Sequence, residues 1–180
     1  MSNPMMKGVG CRRRARMSLA AKASAGFACL LIASSSVLAQ GLVTQRNLSL
    51  ALAKTIAEAT LAACKAKGFN TAAAVVDRAG QVLVILRDEQ GTAQMAEMAR
   101  RKAYTARMFR VSTMEFQKRT ASDPGLLPQR DVEDILALGG GVPIQVDGDT
   151  IGGVGSSGSS QETDDTCARA GLAKVADMLK

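Results

Sequence analysis

The pair Asp147-Gly148, set between two β-rich runs, constrains the fold of this chain more than any other feature. Residues Val142 to Val146 precede it, and Thr150 to Val154 follow after Asp149. An Asp-Gly pair in this setting signals a tight hairpin, because glycine reaches positive φ without a Cβ clash. Three glycines, Gly139 to Gly141, lead into the first run, and Gly155-Ser156-Ser157-Gly158-Ser159 after the second reads as a turn. Ser159 and Glu162 then stand at capping-box spacing, each side chain able to satisfy a free N–H of the other residue. Ala168, Leu172, Val175 and Leu179 recur on one helical face. The stretch from Leu136 to Lys180 is thus expected to form a hairpin, a glycine turn and a closing helix.

The first 39 residues have another character. Arg12, Arg13, Arg14, Arg16 and Lys22 precede the apolar run from Ala25 to Ile32, and Val37-Leu38-Ala39 supplies small residues at a cleavage position. This is the layout of a secretory signal cut after Ala39, and its apolar run is shorter than the ~20 residues a bilayer span needs. The expected localisation is therefore periplasmic or secreted, with no membrane attachment after cleavage. Six of the 23 Lys/Arg and none of the 16 Asp/Glu lie in this segment, which leaves 17 cations against 16 anions. The basic balance belongs to the signal, so it gives no support to nucleic-acid binding, and the remaining aromatics (Phe69, Tyr104, Phe109, Phe116) are too few for a base-stacking platform. The 141 residues after Ala39 suit one domain, read as a flexible leader over 40–46 and a single domain over 47–180.

Within that domain, Asn47 is placed to cap a helix reaching about Lys67, with Leu48, Leu52, Ile56, Ala59 and Ala63 as its apolar stripe. Two strands, Thr71–Asp77 and Gln81–Arg87, flank the turn Asp77-Arg78-Ala79-Gly80, and their continuous apolar runs predict cover on both faces. Thr92 begins a helix to about Arg110, and a shorter one runs from Ser112 to about Thr120. Asp123-Pro124-Gly125 and Pro128 then predict an irregular stretch, and Asp131–Leu138 a connector ending in a strand. The order predicts an α+β sandwich: a central, mainly antiparallel five-stranded sheet with helices on both faces.

Four blocks carry a resemblance to a known family. They are Ala74-Val75-Val76-Asp77-Arg78-Ala79-Gly80, Ala99 to Ala106, Gly139-Gly140-Gly141-Val142-Pro143-Ile144 with Ile151 to Gly158, and Asp164 to Leu172. In this order they resemble the GlcG/HbpS family of haem-binding and haem-degrading-like domains, over roughly Asn47 to the C-terminus. The resemblance implies a profilin-like arrangement, a homo-oligomer, and haem or a related tetrapyrrole as ligand.

The chain has no histidine, which removes Ser-His-Asp and Cys-His catalysis, His-ligated zinc and a histidine ligand to haem iron. No acid pair is identifiable by spacing, so neither a catalytic base nor a metal site is assigned. The helix after Thr92 is the most basic element of the domain, with Arg100, Arg101, Lys102, Arg107 and Arg110. Guanidinium pairs bidentately with carboxylate, so these arginines suit propionates or a small organic acid, against the alternative of a solvated face. Taken with the family resemblance, Arg101, Tyr104, Arg107 and Met108 are the candidate ligand-binding residues. Three readings stand: a haem- or tetrapyrrole-binding protein, a carrier or enzyme for a small organic acid, and an oligomeric scaffold or sensor partner. Cys64 and Cys167 are the domain's two cysteines. They are read either as a disulfide between the first and last helices or as free buried thiols.

Overall fold

A computed structural model describes Gly41 and residues 43–180; the expected signal segment, residues 1–39, lies outside the described residues. Four α-helices and four strands follow in the order α1 (Leu50–Lys65), β1 (Ala72–Val76), β2 (Val82–Arg87), α2 (Ala93–Phe109), α3 (Thr113–Ser122), β3 (Gly141–Val146), β4 (Asp149–Ser157) and α4 (Gln161–Ala173). The strands form one sheet in the order β2-β1-β4-β3, every neighbouring pair antiparallel. The β3–β4 hairpin closes through Asp147 and Gly148, both at positive φ (51° and 80°), as a two-residue turn matched to strand twist requires.

The sheet has four strands, not the expected five. Residues 132–140 make no strand because side chains of α2 claim their backbone: Arg101 Nη2 donates to Ile135 O (2.6 Å) and Leu136 N donates to Thr105 Oγ1 (2.9 Å). Residues 124–131, expected to be irregular, wind instead as a 3₁₀ helix, which the fixed φ of Pro128 accommodates. Asp123 caps it, its Oδ1 accepting from Gly125 N at 2.8 Å.

Helices cover both faces. Ala73, Val75, Ile144 and Val154 pack toward Ile56 of α1 and Ala168 of α4, and Ala72, Ala74 and Val76 pack against Ala99 and Ala103 of α2. Strand β1 is buried throughout, as its apolar run predicts. Strand β2 is not: it lies at the sheet edge, and Val82 and Ile85 stay 44% and 40% exposed. The Gly155–Ser159 turn is also revised, because β4 continues to Ser157 with Gly155 paired to both Ala74 and Gly141. Glycine is needed there for closeness: a Cβ on Gly153 or Gly155 would strike Ala103 O or Ala99 O of α2.

Helix starts are set by side-chain acceptors, sometimes one or two residues from the expected position. Thr92 Oγ1 accepts from Met95 N (3.3 Å) as expected, but Ser49 rather than Asn47 caps α1, accepting from Leu52 N (3.1 Å). Ser160, not Ser159, caps α4 by accepting from Thr163 N (3.2 Å), because the Ser159 hydroxyl is donating to Asp164 Oδ1 (2.7 Å). Where α1 and α4 pack together, Cys64 and Cys167 are joined, with an S–S distance of 2.10 Å and Cα atoms 5.5 Å apart. Both are fully buried.

Candidate functional site

Helix α2 distributes its basic residues over several surroundings. Arg100 donates to Glu97 (2.9 and 2.7 Å) and Asp134 (2.5 Å); these bonds hold its proton more firmly than usual and keep the Asp134 carboxyl below the ordinary range. Arg101 is committed to Ile135 O. Lys102 is 2% exposed, its ammonium donating to Asp164 Oδ2 (2.8 Å) at the start of α4 and to Ser156 O (3.0 Å) on β4. These three residues hold the α2 face to its surroundings, and Arg101 is engaged with Ile135 O rather than with the β1–β2 turn.

Tyr104, Arg107 and Met108 converge on the β1–β2 turn. A Cβ at Gly80 would stand 2.8 Å from Tyr104 Cε2 and 3.7 Å from Met108 Sδ, so ring and thioether lie over bare backbone. Met108 is 46% exposed. Arg107 is half-buried, and its Nε is buried without a hydrogen-bond partner among the described residues. Burial makes its guanidinium less basic than usual, and the positive charges of Arg110 and Arg78 push the same way. Arg78 cannot share its acids, being bidentate to Asp149 (3.1 and 2.5 Å) while Arg46 takes Asp147 (2.5 Å).

The largest hollow described lies elsewhere, and sequence reasoning did not find it. A groove of about 760 Å³ runs between the α2–α3 turn, edge strand β3 and the end of α4. Val142, Pro143, Leu172 and Leu179 give it apolar walls, and Arg110 and Arg169 bring guanidinium groups from two different elements. Arg110 ends α2 in the left-handed conformation (φ 59°) and has no ion pair among the described residues. Arg169 Nε donates to Asp165 Oδ2 (2.6 Å) and stays exposed. The available sequence signals were Arg110 in the basic helix and Leu172 with Leu179 in the closing stripe. Both leucines are only partly buried, because the groove takes one side of each.

A model of the family described as "Haem degrading protein HbpS-like" matches residues 48–173. An uncharacterised 15.0 kDa protein of Citrobacter freundii is 32% identical over 130 residues, covering 70% of this chain and 90% of that protein. The crystal structure of HbpS is similar at TM-score 0.70 and 36% identity, over 74% of this chain and 93% of its own. A PduOC–haem complex is similar at TM-score 0.64 and 27% identity, over 71% of this chain and 94% of its own.

Proposed function

The chain belongs to the HbpS-like family of haem-degrading proteins, and on that premise we propose that it binds haem or a related tetrapyrrole in the groove beside Arg110 and Arg169. The observation that carries this reading is the groove itself: at about 760 Å³ it falls in the range of ligand sites, about 300–1,000 Å³, with apolar walls and two guanidiniums. Those residues fit the group. Val142, Leu172 and Leu179 suit the flat macrocycle, and Arg110 and Arg169 match propionate carboxylates in charge and shape. A bound haem would supply the redox chemistry of its iron. The haem-complex relative supports the same ligand class.

Titration of the protein with hemin, followed at the Soret band, tests the reading. A saturable shift is expected for the wild type, with strong weakening in Arg110→Asn combined with Arg169→Gln. Asparagine is chosen because it tolerates the left-handed backbone at position 110. No saturable shift rejects haem binding. An unaffected double variant together with loss in Arg107→Gln moves the site to the β1–β2 turn.

Arg107 favours a second reading. A half-buried guanidinium with an orphaned Nε and cationic neighbours is relieved by a small carboxylate. That reading expects thermal stabilisation by small organic acids, abolished in Arg107→Gln, without a Soret response. We propose further that residues 1–39 direct export, so N-terminal sequencing of the processed protein should begin at Gln40. Self-association is proposed as well, supported by the exposed apolar Val82 and Ile85 on edge strand β2, and light scattering after size exclusion should give a mass above the monomer's.

A further inference from the structure

We infer that the groove recognises the tetrapyrrole's macrocycle and carboxylates, and not its iron. This rests on the reading of the groove as the tetrapyrrole site. The donors that the groove holds decide this. Its lining contains no histidine, cysteine, methionine, tyrosine or lysine, so none of the usual protein ligands of haem iron faces it. Histidine is missing from the whole chain. Of the methionines and the tyrosine nearest in sequence, Met108 and Tyr104 lie over Gly80, Met114 packs against Gly139, and Met178 lines a separate hollow with Ser49 and Leu52 of the α1 start. The lining's one carboxylate, on Glu115, is exposed and has no salt bridge or side-chain hydrogen bond among the described residues to fix it toward a metal.

What remains for recognition is apolar area and charge. Burying the macrocycle against Val142, Leu172, Ala173 and Leu179 is independent of what the ring's centre holds. Arg110 and Arg169 address the carboxylates at the ring's edge, which a metal-free porphyrin shares with hemin. Iron identity and oxidation state should therefore scarcely alter affinity.

The test uses the full wild-type chain and three probes: hemin, metal-free protoporphyrin IX, and protoporphyrin IX dimethyl ester. Porphyrin fluorescence reports direct binding, and hemin displacing the fluorescent porphyrin reports a shared site. Expected are dissociation constants for hemin and protoporphyrin IX within about threefold of each other, mutual competition, and at least about tenfold weaker binding of the ester. Hemin binding more than about tenfold tighter than the metal-free ring would overturn the inference while leaving the groove reading intact. Unweakened binding of the ester overturns its carboxylate part. If neither hemin nor the free ring saturates, the groove reading itself fails and this inference with it.

Discussion

Lys102 is the residue on which the α2–α4 arrangement depends. Its ammonium and the Asp164 carboxylate are each about 2% exposed, and the second Asp164 oxygen accepts from Ser159 N (3.2 Å) and Oγ (2.7 Å). Removing one charge leaves the other buried and uncompensated, which costs about 3–5 kcal/mol, while replacing both by apolar groups costs much less. Lys102→Met should therefore lower the urea midpoint sharply, and Lys102→Met with Asp164→Leu should restore part of the loss. A double variant no better than the single rejects this account. Gly155→Ala belongs to the same scale: its Cβ would meet Ala99 O, so about 1–3 kcal/mol should be lost in the same assay. Neither residue's role was legible in the sequence. Arg100, Arg101 and Lys102 read alike as consecutive basic residues, and only the tertiary partner 62 positions away singles out Lys102. Tyr104, Arg107 and Met108 stand at i, i+3 and i, i+4 spacing, but so does Arg101 relative to Tyr104, and only the bond to Ile135 O sets Arg101 apart from them.

At the scale of elements, local signals served well where the signal and the structure are both local. Asp147-Gly148 specified the β3–β4 hairpin and Thr92 the start of α2, since each acts within a few residues. The missing fifth strand and the extension of β4 were decided at a distance, by α2 side chains holding residues 135 and 136 and by α2 backbone pressing on Gly153 and Gly155. The hairpin's acids have a pH consequence. The bond from Arg78 holds the Asp149 carboxyl below its usual 3.8, so its folded pKa lies under its unfolded one. That pairing contributes fully above the unfolded value and is lost as pH falls toward the folded one. Carboxyl NMR should place the Asp149 midpoint below 3.8, and Arg78→Gln should raise it; an unmoved midpoint excludes Arg78 as the cause. The bridge between α1 and α4 acts on longer range, closing 103 positions of sequence. Intact mass should show two hydrogens fewer than the reduced chain, and Cys64→Ala with Cys167→Ala should lose about 2–5 kcal/mol.

At the scale of the whole domain, the groove was hidden from the sequence because its walls come from segments far apart: Arg110, Val142, Arg169 and Leu179. Each wall residue had an adequate local explanation, as helix end, strand or stripe, and only the packing of α4 beside edge strand β3 leaves space between them. A ligand filling that space contacts the α2–α3 turn, β3, α4 and the segment that follows α4 together, so its binding is coupled to unfolding of the domain. Binding to the folded state alone contributes RT ln(1 + [L]/Kd), about 2.7 kcal/mol at a hundredfold excess of free ligand over Kd. For a domain of this size that corresponds to a rise in Tm of roughly 10 °C. Scanning calorimetry with protoporphyrin IX should show that rise in the wild type and little of it when Arg110→Asn and Arg169→Gln are combined. A full rise in the double variant would locate the ligand outside the groove. A rise lost instead in Arg107→Gln would locate it over the β1–β2 turn, where the tyrosine and thioether lie above Gly80.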